Sequence, residues 1–396
     1  MNVSLLAQSI GREPTRLFGI RQYDRLYHFY AIGMTGTGKS TLLFNLMKQD
    51  IRNGQGFCVV DPHGDLATQL RPLLPSNAVY WDAADPDNEY GYNPLTPVSA
   101  QYRPLVASAL IDTLKKQWAD AWGPRMEHLL RYSLLALLEY PSATIADIMP
   151  MYLEKDFQRR VVSCVTDPYV RRFWTSEYET MKYKGAVDGV APIANKLGGF
   201  LAHPIVRQSV TKPAKPLRFR QLMDEGRVLI VNLAKGRLGA DTANIVGGIA
   251  LSNLAHAAYS RQNLPEGQRA PYFAYVDEFH SFTTSALADM LSELRKYKLG
   301  LVLAHQHTGQ LENDVSQAIF GNVGTIMTFR VGASDANILA RQFGANVPSV
   351  RDLVNLPNYE CYVKLMVNGT QSKPFSARTL LAQISKTVRG QERHYD

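Results

Sequence analysis

Seven short, mainly apolar runs punctuate the chain, at 27–32, 57–60, 78–81, 227–232, 272–276, 301–304 and 325–329, each entering a turn or a helically spaced stretch. Unbroken runs of this length predict strands buried on both faces, and the helical spacing between them is what parallel connections require. Between 101 and 202 the pattern changes. Residues 106–118, 125–140, 145–153 and 169–178 carry apolar positions at helical intervals, with no convincing strand among them. The pattern therefore predicts an α/β protein with one mainly parallel sheet, whose core is divided into 1–98 and 213–396 by an all-α insertion domain at 99–212. Pro94, Pro97, Pro213 and Pro216 at the edges of the insertion predict hinge-like connections. The polar tail from Thr379, with Arg389, Arg393 and His394 near its end, is expected to fray.

Composition narrows this picture only slightly. With 396 residues, 45% of them hydrophobic, the chain can bury a large core. A net charge of +8 suits an acidic partner such as nucleic acid or anionic lipid, and equally suits plain solubility. Cys58, Cys164 and Cys361 are odd in number and widely spaced, which suggests neither a disulfide framework nor a zinc site and fits a reducing compartment. The start of the chain lacks the charged and apolar regions of an export signal. The weakly polar stretch at 245–259 is shorter than the roughly 20 residues that span a bilayer. A cytoplasmic protein without an intrinsic membrane span is expected, either free or recruited to a membrane complex.

The chemistry begins after the first apolar run. Gly33 to Ser40 reads G-M-T-G-T-G-K-S and matches G-x-x-x-x-G-K-[ST] between a strand and a helix, the context in which that motif cradles phosphate. Gly33, Gly36 and Gly38 let the backbone curl so that successive N–H groups face phosphate oxygens, with the positive end of the helix dipole behind them. Thr35, Thr37 and Thr41 complete the phosphate-binding set, Lys39 reaches the β and γ phosphates, and Ser40 is placed to offer its hydroxyl to Mg²⁺. The run at 272–276 ends in Asp277 and Glu278, an apolar strand closed by two carboxylates. Asp277 is then the second Mg²⁺ ligand and Glu278 the general base that polarises the attacking water. Together the two motifs predict a P-loop NTPase with a RecA-like core.

Other residues extend the site. Gln306 ends the next strand, where an amide can touch both γ phosphate and water and so report on the bond between them. A polar loop residue is the plain alternative. His305 and His307 flank it at a spacing that can hold a metal on a strand, but no acidic or cysteine partner accompanies them. Arg295, at the end of the helix between these two strands, either satisfies the helix dipole or reaches a neighbouring subunit's nucleotide, where an arginine stabilises the charge of phosphoryl transfer. In the turn Asp61-Pro-His63-Gly-Asp65 the carboxylates face the P-loop edge, as auxiliary water or Mg²⁺ positioners, or as a capped turn with Asp65 as N-cap.

These motifs, in this order, resemble the FtsK and HerA superfamily, and within it the coupling-protein ATPases of conjugation and type IV secretion. The resemblance covers most of the chain outside the helical stretch, and an all-α insertion in that position is itself similar to the coupling proteins. It implies ATP rather than GTP, a ring homo-hexamer with ATP sites at subunit interfaces, and DNA in the central channel, single- or double-stranded. It favours Arg295 as the trans-acting arginine and makes Arg330, after the run at 325–329, a second nucleotide-facing cation. Coupling proteins usually begin with transmembrane helices, whereas this sequence reaches its P-loop by Ser40, so membrane anchoring is not implied. From charge alone, Lys182, Lys184 and Lys196 are candidate phosphate-gripping residues, or a solvated basic face. Two other readings compete with a DNA translocase: an ATPase that moves protein substrates in secretion, and a nucleotide-gated assembly module whose helical insertion recruits a protein partner.

Overall fold

A computed structural model describes residues 3–11, 14–180, 185–282, 286–344 and 348–380. Its strands are β1 (Val3–Ser9), β2 (Leu17–Arg21), β3 (Phe29–Ile32), β4 (Phe57–Asp61), β5 (Val79–Asp82), β6 (Tyr90–Gly91), β7 (Lys215–Pro216), β8 (Val228–Asn232), β9 (Tyr272–Val276), β10 (Leu299–His305), β11 (Thr325–Thr328), β12 (Glu360–Lys364), β13 (Met366–Val367), β14 (Thr370–Gln371) and β15 (Phe375–Thr379). Eleven of them form one sheet in the order β2-β1-β15-β12-β11-β3-β10-β9-β4-β8-β5. From β11 to β5 every neighbouring pair is parallel, and these are the strands expected from the seven apolar runs. The remaining four extend the sheet through antiparallel pairs.

Alternation along the central strands divides the core into two layers. Tyr30, Cys58, Val60, Leu229, Val231, Ala274, Leu301 and Leu303 face one layer. Phe29, Ala31, Phe57, Val59, Ile230, Phe273, Tyr275 and Val302 face the other, against Leu42, Leu43, Leu46 and Met47 of the helix Lys39–Arg52. Because both faces are covered, the strands read as continuous apolar runs rather than as alternating ones.

Among the described residues of 99–212 the regular elements are helical, including Arg103–Gln117, Pro124–Leu137 and Gly185–Leu201. Their buried residues, such as Ile111, Leu114, Leu130 and Leu134, belong to the same continuous core as one face of the sheet. The edges of this stretch differ from the expected hinges. β6 pairs with β7, with the Lys215 N–H donating to the Glu89 carbonyl at 2.8 Å and Leu217 N–H to the Gly91 carbonyl at 2.8 Å. Pro216 falls on the alternate position, where no donor is needed, so the ladder forms in spite of it. Tyr92 N–H also bonds the Ser209 carbonyl, and a Cβ on Gly91 would lie 2.1 Å from that same oxygen. The connection is a stitched neck.

The chain end also departs from the reading at its first residue. Thr379 is 3% exposed, closes β15 and pairs with Ala7 of β1. Residues 381–396, the remainder of the expected tail with Arg389, Arg393 and His394, lie outside the described residues, as do Lys182 and Lys184.

Buried histidines make the fold sensitive to acid. His28 lies at 1% exposure with Nδ1 accepting the Leu301 N–H at 3.0 Å and Nε2 3.0 Å from the Leu291 carbonyl, a pairing that only the neutral ring with its proton on Nε2 satisfies. Burial pushes its pKa down to about 4. Burial likewise takes His256 to about 4 and His305 to about 3. Between the unfolded value of 6.5 and these values the unfolded chain binds more protons, so stability is present above 6.5 and is lost as pH falls. Asp277, raised to about 7, and Asp112, raised by burial, act in the opposite direction, while His280, lowered by burial, adds to the other three imidazoles. The urea midpoint is therefore expected to fall steadily from pH 6.5 to 4, each histidine contributing up to about tenfold in the unfolding constant per pH unit. A His28→Gln chain should show a shallower decline.

Candidate functional site

Parallel strands deliver their C-terminal ends to one edge of the sheet, and here β3, β10, β9 and β4 lie side by side. The turns that follow them, carrying Gly33, Gln306, Asp277 with Glu278, and Asp61, must meet there. They surround a cavity of about 360 Å³ lined by Thr35, Gly36, Gly38, Lys39, Ser40 and Thr41 on one side. Asp61, Asp277, Glu278 and Gln306 line the other, with His63, Asp65 and Tyr359 at its margin.

The P-loop geometry follows from its glycines. Gly36 at φ +76° and Gly38 at φ +122° occupy backbone regions that side chains rarely enter. A Cβ on Gly33 would come within 2.6 Å of Phe329, so that position lets β11 approach the loop closely. Thr37 does not line the cavity. It is 1% exposed, and its hydroxyl donates to the Met34 carbonyl at 2.7 Å, bracing the loop from within. The helix opens at Lys39. Lys39 Nζ donates back to the carbonyls of Gly33 at 2.5 Å and Met34 at 3.2 Å, and burial lowers its pKa against the opposing pull of Glu278 and Asp277.

The acidic side is crowded. Asp277 is pushed up to about 7 by burial first, then by Glu278 and Asp61 beside it. Glu278 is 9% exposed and takes φ +46°, a left-handed conformation that costs a non-glycine residue roughly 1–3 kcal/mol and that turns the side chain away from the line of β9. Its Oε1 accepts from Gln306 Nε2 at 2.9 Å, so the residue expected to be a sensor contacts the residue expected to be a base. Its Oε2 is buried with no hydrogen-bond partner. Because Glu278 and Asp61 raise Asp277 as well as burial does, positive charge bound beside it would relieve the repulsion, although among the described residues no three carboxylates or histidines are placed as a metal-ligand cluster.

The turn after β4 differs from the capped turn expected. Gly64, at φ +89°, is the N-cap, and Asp65 is the first helical residue. The capping is done by Asp61, whose Oδ1 accepts from His63 N–H at 3.1 Å and whose Oδ2 accepts from Ala67 N–H at 2.9 Å. A left-handed glycine tightens the turn enough for a residue inside the strand to reach the third helical N–H.

Neither arginine lies in the cavity. Arg295 precedes β10, at the opposite edge of the sheet, separated from Gln306 by seven strand residues or about 23 Å. Its guanidinium stacks 3.4 Å from the Tyr27 ring centroid and donates to the Tyr27 hydroxyl at 2.5 Å, on the exposed surface. Arg330 is at the P-loop edge, its carbonyl accepting Met34 N–H at 2.8 Å. Its side chain, however, donates to the Leu356 carbonyl at 3.0 Å and to Asn358 Oδ1 at 2.8 Å, bracing the loop before Tyr359. Lys196 is ion-paired with Asp120 at 2.9 Å.

Tyr359 was not apparent from the sequence. It takes φ +67°, its N–H bonds the Thr37 carbonyl at 2.8 Å, and its ring would meet a Cβ on Gly38 at 3.1 Å. A lone tyrosine far along the chain from the P-loop gives no local signal of this role.

The model of the helicase HerA central domain matches residues 25–252, more than half of the chain. The chain belongs to that family. With the P-loop, the carboxylate pair and the sheet edge in place, it is a P-loop ATPase. Among solved structures it is similar to the bacterial conjugative coupling protein TrwBΔN70, with a TM-score of 0.69 and 17% identity over 92% of this chain and 87% of that one. It is also similar to VirB4 of Thermoanaerobacter pseudethanolicus, with a TM-score of 0.67 and 13% identity over 96% of this chain and 97% of that one. TrwB in complex with the non-hydrolysable ATP analogue ADPNP superposes with a TM-score of 0.65 at 16% identity, over 90% and 86% of the two chains. At such identities the likeness establishes a shared fold, that of the expected RecA-like ATPases. No curated protein sequence matches. Among the described residues no helix is long and apolar enough to cross a membrane.

Proposed function

We propose that this HerA-family chain hydrolyses ATP with Mg²⁺ and uses the cycle to move DNA, working as a ring hexamer with its ATP sites between subunits. One observation carries the hydrolytic part: Glu278, buried and turned out of β9, is held by Gln306 at 2.9 Å on the rim of the P-loop cavity. In this reading the N–H groups of the P-loop and Lys39 bind the phosphates, with Thr35, Thr37 and Thr41 shaping the loop. Ser40 and Asp277 would hold Mg²⁺, which when bound would neutralise charge developing on the phosphate oxygens. Glu278 accepts a proton from water as the water oxygen bonds the γ phosphorus and the bond to the bridging oxygen breaks, leaving ADP and phosphate. Gln306 orients that water.

TrwB has been solved with ADP and Mg²⁺, with an ATP analogue and with a GTP analogue, which favours a nucleoside triphosphate with Mg²⁺ here. The family's helicase name and the +8 charge favour DNA as the polymer. Arg295, exposed and away from its own cavity, is the residue offered to the neighbouring subunit, and Arg330 steadies the P-loop edge facing it. Residues 99–212 are then the partner-facing part between the two parts of the core.

The test is steady-state ATP hydrolysis by the whole chain alone, with single-stranded DNA and with duplex DNA, at low salt. Stimulation of tenfold or more, reversed by added salt as phosphate contacts weaken, is the expected result. A rate that neither DNA changes rejects DNA as the moved polymer and leaves a protein-moving ATPase or a nucleotide-gated module.

A further inference from the structure

We infer that His280 is a positioning residue for Glu278, fixed in one tautomer by Gln310, so that the loop after β10 sets the orientation of the hydrolytic carboxylate. The inference rests on the reading of Glu278 as base and adds a control over it that neither motif shows alone.

The turn Phe279–Ser281 follows Glu278 directly, and Phe279, at 0% exposure, anchors it in the core beside His305 and Tyr30. His280 therefore projects back over the rim of the site. Its Nδ1 lies 3.4 Å from Glu278 Oε2, the buried oxygen left without a hydrogen bond, while Gln306 occupies Oε1. On its other side, His280 Nε2 is 3.2 Å from Gln310 Nε2.

Donor and acceptor chemistry orders this chain. The His307 backbone N–H can only donate, and it points at Gln310 Oε1 at 3.4 Å, so the amide of Gln310 presents its NH₂ to His280. A group that only donates requires an acceptor, so His280 Nε2 carries no proton. The ring's proton then sits on Nδ1, the nitrogen on the side of Glu278 Oε2. Burial lowers the pKa of the ring first, against the pull of Glu278, and Lys116 from the helix Arg103–Gln117, Lys235 and His307 lower it further. His305, with its ring 6.3 Å away, is itself held neutral. At 3.4 Å the contact is longer than a formed hydrogen bond, and a small ring rotation closes it.

The experiment compares substitutions of similar size in the full chain, reading kcat, KM for ATP, nucleotide affinity and thermal stability. His280→Asn keeps a donor near the Nδ1 position, and His280→Gln keeps a group near Nε2 but none at Nδ1. H280Q is expected to lose about 10–100-fold in kcat, as partners that orient a reacting group do, with KM and nucleotide affinity within about twofold of wild type. H280N is expected to recover most of that loss. Gln310→Leu should slow the wild-type chain but not the H280N chain, because asparagine does not depend on the amide of Gln310. Equal kcat for H280Q and wild type, with Glu278→Gln inactive, overturns the role of His280 and leaves Glu278 as base. An active E278Q overturns the reading of the base itself. Parallel losses of stability and kcat in H280N and H280Q reduce His280 to a structural residue.

Discussion

A Glu278→Gln chain is expected to bind ATP as wild type does and to hydrolyse it about 10²–10⁴-fold more slowly, the usual contribution of a positioned general base. The carboxamide has the same shape and its oxygen still accepts from Gln306 Nε2, while its NH₂ group takes the place of the oxygen beside His280. What it loses is the ability to take a proton. Lys39→Ala should behave differently, because the ammonium is buried at the mouth of the loop and serves both ground state and transition state. Nucleotide affinity and turnover should fall together. Equilibrium binding of a fluorescent ATP analogue and single-turnover hydrolysis, measured on both chains, separate the two cases. Hydrolysis by E278Q within a few-fold of wild type would remove Glu278 from the mechanism and leave the acidic rim as a cation site only.

The central sheet was legible because its strands are buried on both faces. Residues 272–276 and 325–328 need only be apolar to be strands, and no register has to be known. The four outer strands have a weaker signature. β12 alternates half-buried and buried residues, and β1 mixes exposed, half-buried and buried positions. Ala7 pairs with Thr379 and Glu360 with Arg378, contacts that no local window contains. The stitched neck at β6 and β7 was hidden for a related reason: a proline is compatible with a ladder at a position that donates nothing, and only the register shows which position that is.

Within the site, what backbone order dictates was legible and what side-chain convergence dictates was not. A strand, a glycine-rich turn and a helix in succession leave the P-loop little freedom, and adjacent strands carry Gln306 to Glu278. Tyr359 reaches the cavity through the loop braced by Arg330, and His280 reaches Gln310 across two turns, neither of which shows as a spacing. Asp61 and Asp65 exchanged capping roles because Gly64 enters the left-handed region, and the sequence alone offers either carboxylate to the helix.

Arg295→Ala is expected to lower ATP turnover about 10³-fold or more without changing nucleotide affinity, the loss seen when an arginine that stabilises phosphoryl transfer is removed. Its position makes a sharper result available. Arg295 stands at the end of the sheet away from its own P-loop, exposed and stacked on Tyr27, so one subunit cannot bring it to its own ATP. The E278Q and R295A chains are therefore each inactive for a different reason, and each holds the group that the other lacks. In a ring assembled from equal amounts of both, an R295A subunit with an intact base stands beside an E278Q subunit with an intact arginine at about a quarter of random interfaces. The mixture should thus regain up to about a quarter of wild-type turnover where neither chain alone shows any, provided that the sites act independently. A mixture as inactive as its parts, under conditions where labelled chains exchange between rings, would show that Arg295 serves only its own subunit. The surface around Tyr27 would then be a structural brace, and the arginine at a neighbour's phosphate would have to be sought elsewhere, with Arg330 at the P-loop edge the next residue to replace.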